Sequence, residues 1–139
     1  NRNGLIVDVE LTEDNGTAER EAAFDMMART ATHPGRTLGA DKGYDTKDFI
    51  ETLRAINVSP HIAAKENSSL DGRTLNTEGY AISQRKRKCI EECFGWMKTV
   101  GLMRKLRHRG QDKIAWIFQF TAATYNIVRM KNLMMRSLA

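Results

Sequence analysis

Between residues 5 and 11 apolar and polar positions alternate, with Leu5, Val7, Val9 and Leu11 on one face and Ile6, Asp8 and Glu10 on the other. A period of two predicts a half-buried strand. Asn3-Gly4 stands before it, and this pair favours a two-residue hairpin turn because both residues tolerate positive φ. Only Asn1 and Arg2 precede that turn, and the chain does not open on Met. The partner strand is therefore expected upstream of residue 1. Residues 17–31 read instead as a helix: Thr17 is placed to cap it, Glu19 and Glu21 suit its positive end, and Ala22, Ala23, Met26 and Met27 form an apolar stripe. His33-Pro34-Gly35 should end it. A short strand over 36–40 then reaches Asp41, Lys42-Gly43 turns the chain into a helix over 46–56, and 57–62 forms the next strand. This alternation predicts an α/β sheet with some parallel pairing.

Residues 65–79 crowd Asn, Ser, Asp, Gly and Thr with no apolar period, the composition of a surface loop. Two long helices are expected after it, over 80–100 and 112–135. In the first, Ile82, Ile90, Cys93, Phe94 and Met97 gather in one arc that should face the core, and Gln84, Arg87, Glu91 and Lys98 fall within about 60° of one another beside that arc. In the second, Ile114, Ile117, Phe118, Thr121, Tyr125 and Val128 line one side.

Composition narrows the class. At 139 residues the chain suits one domain, residues 1–139, able to bury a core. Its net charge of +5 is unevenly placed: residues 85–113 alone carry ten Lys and Arg against three acids, a local +7. The basic charge is a patch, which points to a polyanionic partner. No leader-like segment opens the chain, and the charge-free run 114–128 falls short of the ~20 residues that span a bilayer. A cytoplasmic protein without a membrane partner is expected. Cys89 and Cys93, four apart on a helix, lack the further partners of a zinc site or a disulfide scaffold, so buried or half-buried free thiols are expected. His33 and His61 stand apart from any ligand set and read as turn and strand residues. Trp96 and Trp116 read as core anchors.

Two sets of residues carry candidate chemistry. Asp41 follows a strand, and in α/β sheets ligands gather outside the carboxyl ends of strands; the competing reading is a turn residue or helix cap. Glu91 with Arg87 and Lys98 reads either as surface pairing, Arg87 with Glu91 at i,i+4, or as a carboxylate for a hard cation beside two cations for phosphates.

Ala40-Asp41-Lys42-Gly43-Tyr44-Asp45 closely resembles the segment around the second aspartate of bacterial insertion-sequence transposases with a DDE site. Residues 87–98, Arg-Lys-Cys-Ile-Glu-Glu-Cys-Phe-Gly-Trp-Met-Lys, resemble the segment around their catalytic glutamate, with Arg87, Glu91 and Lys98 matching in type and spacing. Gln84 stands where the family has a Tyr, and Tyr80 lies one helical turn earlier; which of them replaces that Tyr stays open. The resemblance runs over nearly the whole chain. It implies the carboxy-terminal part of an RNase H-like domain: a mixed sheet flanked by helices, with the N-terminal strands and the first aspartate upstream of residue 1. It implies DNA transposition by metal-dependent hydrolysis and strand transfer at transposon ends, using two Mg2+ or Mn2+ ions. Asp41 and Glu91 would be catalytic metal ligands. Arg87 and Lys98 would hold phosphates, joined by nonspecific backbone contacts from Arg104, Lys105, Arg107, His108 and Arg109, a stretch that also reads as a solvated basic loop. The partners implied are transposon-end and target DNA and further copies of the protein in a synaptic complex, associated with the nucleoid when bound. With one carboxylate upstream, residues 1–139 alone are expected to show little strand transfer. The alternatives are a non-catalytic DNA-binding remnant of a decayed element, and another RNase H-like nuclease that cleaves without joining.

Overall fold

The computed structural model describes residue 1, residues 3–30 and residues 35–138. The chain forms two compact units, Thr12–Lys88 and a second made of Asn1–Leu11 with the stretch from Cys89 onward.

In the first unit, helix α1 (Ala18–Thr30) is followed by strand β1 (Arg36–Ala40), a 3-10 turn (Lys42–Tyr44), α2 (Lys47–Ala55), β2 (Val58–Ile62), the short α3 (Gly72–Leu75) and α4 (Glu78–Arg87). β1 and β2 pair in parallel, from Arg36 opposite Val58 to Ala40 opposite Ile62. The predicted parallel pairing is present, as a sheet of two strands among the described residues. A parallel pair needs a crossover, and α2 supplies it. Thr46 caps α2 by accepting from Phe49 N, and Phe49, Ile50 and Leu53 fall on one face at i, i+1 and i+4. They pack with Val58, Ile62, Ala40 and Leu70, and Phe24 and Met27 of α1 close over that cluster. Asn57 takes φ of 57°, the left-handed region Asn tolerates, and so turns α2 into β2.

Caps account for three departures from expectation. At α1, Thr17 does not cap as predicted: its hydroxyl goes to Glu21 Oε1 (2.7 Å), and Asn15 Oδ1 accepts from Ala18 N (2.6 Å). The 65–79 segment is not all loop. Asp71 Oδ1 accepts from Thr74 N (2.9 Å) and opens α3, and Thr77 accepts from Tyr80 N (3.1 Å) to open α4 two residues earlier than predicted. The expected stop at His33-Pro34 lies outside the described residues.

His61 of β2 is buried, with Nδ1 2.6 Å from Ser83 Oγ of α4. Burial lowers its pKa below the usual 6.5, against a smaller opposing effect of a backbone hydrogen bond at Gly79. The folded state thus disfavours the imidazolium. Stability should be full above about pH 6.5 and fall as pH drops through the lowered folded pKa, because the unfolded chain takes up the proton first. Thermal unfolding from pH 7.5 to 5 should show this loss, and His61→Gln should flatten it.

The second unit holds α5 (Cys89–Thr99) and α6 (Gln111–Ser137). Cys93, Met97 and Ala122 are buried together, with Ile6, Val9, Trp96, Met103, Phe118 and Tyr125 packed against them. Trp96 meets Tyr125 edge-on at 5.5 Å and is the core anchor expected. The predicted strand over 5–11 does not form. Ile6 N donates to Asn126 Oδ1 and Asn126 Nδ2 donates to Ile6 O, both at 2.8 Å. One amide side chain of α6 thus takes the part of a neighbouring strand. Ile6 and Val9, both half-buried, are the positions packed against the core and Val7 is exposed, so the predicted period-two face is not used as a whole. The two-residue turn expected at Asn3-Gly4 is not the one seen: Gly4 takes φ of 76° but Asn3 does not take a positive φ, and Gly4 N donates to Asn1 O (3.0 Å).

The first of the two expected long helices is interrupted. α4 ends at Arg87 and α5 begins at Cys89, with Lys88 between them. The charges suit a stop and a restart: Arg85, Lys86 and Arg87 complement the negative end of α4, and Glu91 and Glu92 the positive end of α5. Ile82 of α4 and Ile90 and Phe94 of α5, all of the predicted core arc, are exposed, and on α5 that arc buries Cys93 and Met97.

Candidate functional site

Asp41 directly follows β1, the chain position at which an open α/β sheet presents ligands. Its side chain is exposed, and Oδ1 accepts from Gly43 N (2.8 Å), capping the 3-10 turn. The cap reading and the ligand reading coexist here, since Oδ2 has no hydrogen-bond partner among the described residues. Asp45, four residues on, is the residue that sequence reasoning passed over. It is buried, Oδ2 accepts from Lys65 N (2.7 Å), and its carbonyl accepts from Lys65 Nζ (3.1 Å). These bonds tie the Asp41 turn to the segment leaving β2. Two acids four apart across a Gly-Tyr turn gave no signal of which one would be buried.

Tyr80 and Gln84, the two candidates for the family Tyr, are both engaged within the first unit. Tyr80 donates through its hydroxyl to Ile62 O (2.9 Å) and Gln84 donates through Nε2 to His61 O (2.6 Å). Both secure α4 to the carboxyl end of β2. Arg87, half-buried at the end of α4, keeps Nε buried without a hydrogen-bond partner.

Glu91 and Lys98 lie on α5, two turns apart and both exposed. At ~100° per residue they share a side about 130° from the buried pair Cys93 and Met97. They were expected at the edge of the core and instead face away from it. Glu91 has no hydrogen bond or ion pair among the described residues. Cys93 is buried, which pushes its thiol pKa up. Cys89, expected buried or half-buried, is exposed, because α5 turns only the Cys93 side inward.

Lys98, Arg104, Lys105, Arg107 and His108 come together around one cleft of about 1020 Å3, which also takes in Leu102 and Ile117. Arg109 is exposed and is not part of that lining. Arg104, Lys105, Arg107 and His108 are thus gathered on one surface with Lys98.

Asp41 and Glu91 offer exposed hard oxygen donors, the type that Mg2+ and Mn2+ take. Among the described residues no three His, Cys, Asp or Glu side chains gather into a metal-binding group.

A β-α-β unit with an acid at the mouth of a parallel strand, and a helical unit with a cationic cleft, define a mixed α/β protein suited to a polyanion. The chain matches the family described as Transposase DDE domain over residues 1–127 and belongs to that family. Comparison with curated proteins and with solved structures gives no match. Among the described residues no helix is long and apolar enough to cross a membrane.

Proposed function

We propose that the chain serves DNA transposition through metal-dependent phosphodiester hydrolysis and strand transfer at transposon ends, within an RNase H-like catalytic domain to which both units belong. The observation that carries this reading is the family match over residues 1–127, which spans both motifs. Asp41 and Glu91 would be two of the three carboxylates that such a site takes, each within a segment that resembles a family motif. When bound, a pair of Mg2+ or Mn2+ ions would supply activation of the attacking oxygen and charge stabilisation of the leaving one.

The chain's own residues have separable tasks. The Asp41 turn is held by Gly43 N and, through Asp45, by Lys65, so that carboxylate is presented on a fixed backbone. Glu91 is free to take a cation without breaking a contact of the fold. Arg87 and Lys98 position phosphates, and Arg104, Arg107 and Arg109 add backbone contacts that carry no sequence information. The DNA partners are transposon ends and target, bound by more than one copy in a synaptic complex, in the bacterial cytoplasm and nucleoid.

A second reading is favoured by the cleft itself: its cations lie in one unit and bind DNA without any carboxylate, as a non-catalytic module would. Joining of a labelled transposon end to plasmid target separates the two. The transposase as its gene encodes it should join ends with Mg2+ and stop when EDTA is added. DNA binding without joining under any divalent ion would establish the second reading instead.

A further inference from the structure

The sequence placed Trp116 in the core, and the structure does not. Trp116 is 63% exposed and Phe120, one turn on in α6, is 61% exposed. Their rings stack with centroids 5.4 Å apart and planes 6° from parallel. A single exposed aromatic needs no explanation. Two held face to face in water form a rigid apolar plate, with Phe120 bracing one face of the indole. Trp116 lines a hollow of about 500 Å3 with largely apolar walls, flanked by Asp112 and Lys113, and His108 and Ile117 line both this hollow and the cationic cleft. The apolar plate and the cations are therefore parts of one continuous surface.

Charge decides the occupant. The adjoining cleft carries Lys98, Arg104, Lys105 and Arg107 and no carboxylate among its lining residues, so it suits a chain of phosphates. A second copy meeting it through the same face would set Lys and Arg against Lys and Arg. In duplex DNA both faces of each base are covered by neighbouring pairs, whereas an unpaired base offers its face to an aromatic plate, and stacking of this kind is sequence-tolerant. We propose that this surface binds single-stranded DNA, with an unpaired base stacked on Trp116 and its flanking phosphates on Arg104, Lys105 and Arg107. The proposal rests on the reading of DNA as substrate and adds a site for strand that has lost its partner.

The test measures affinity of the full chain for an oligothymidylate of about 16 nucleotides and for a blunt duplex of similar length, by fluorescence anisotropy, with sedimentation run alongside. Trp116→Ala should weaken single-strand binding by about 5- to 100-fold and leave duplex binding within about twofold, with Trp116→Phe retaining most of the affinity. Arg104→Ala with Arg107→Ala should lower the salt slope for the single strand by about 1.4. Circular dichroism checks that each variant keeps its helices. Unchanged single-strand affinity in Trp116→Ala overturns the proposal, and retained duplex binding then leaves the DNA reading standing. Loss of both affinities alike also overturns it. Failure of the wild-type chain to bind either DNA overturns both proposals. Loss of self-association in Trp116→Ala with DNA affinity intact overturns it in favour of a protein interface.

Discussion

Glu91→Gln is expected to lower cleavage and joining at transposon ends by on the order of 10³-fold or more, since a neutral amide oxygen stabilises a bound cation far less than a carboxylate and several kcal/mol of transition-state stabilisation go with that difference. The substitution changes charge and leaves size unaltered. Glu91 is exposed and holds no partner among the described residues, so stability should stay within ~0.5 kcal/mol of wild type. A collapse of activity without a change in unfolding is thus the diagnostic pair. Asp41→Asn should behave alike, because an Asn oxygen still accepts from Gly43 N and keeps the 3-10 turn closed. Asp41→Ala would confuse the result by removing that cap as well. End cleavage at saturating DNA, with binding measured separately, gives the comparison. Activity within about tenfold of wild type would remove either carboxylate from the site.

Leu53→Ala should destabilise the fold by about 2–5 kcal/mol. Leu53 has no exposed surface and sits with Ile50, Val58 and Ile62, the other largest fully buried side chains. With two strands in the sheet among the described residues, this face of α2 supplies three of the seven residues of the buried cluster, and little neighbouring structure can collapse into the space left. The midpoint of thermal unfolding should fall by roughly 10 °C or more. Lys47→Ala on the opposite, exposed side of the same helix is the control. Its ion pair with Glu51 spans 3.9 Å between largely exposed side chains, and an exposed pair contributes ~0–1 kcal/mol. Denaturant unfolding followed by far-ultraviolet circular dichroism distinguishes the two. Because Ala40 belongs to the same cluster, loss of this packing should also loosen the strand end that presents Asp41.

The pattern of residues foretold the first unit more closely than the second, for a physical reason. β1, α2 and β2 are short elements whose caps and turns are local, so Thr46, Asn57 and the apolar face of α2 announce them. The break at Lys88 was written in charge, basic then acidic, and apolar periodicity alone runs through it. The strand expected over 5–11 failed because a strand needs a partner, and here Asn126, far off in sequence, supplies one side-chain amide in its place. For the site, the resemblance to the transposase motifs singled out Asp41 and Glu91, where residue type and spacing alone also allowed a turn cap and a surface pair. Burial did not follow from them: Asp45 turned inward, Glu91 turned away from the core, and Trp116 came out to solvent. Each of these depends on which side of a turn or helix meets a neighbour, and that is settled by tertiary packing.

Binding of Mn2+ by the transposase, as its gene encodes it, in the presence of transposon-end DNA tests the central assignment most directly, with free ion followed by electron paramagnetic resonance. The wild-type protein should take up the ion, and Glu91→Gln and Asp41→Asn should each weaken that uptake by at least about tenfold while DNA affinity persists. Undiminished Mn2+ binding in both variants would contradict the assignment of Asp41 and Glu91 as the metal-binding carboxylates.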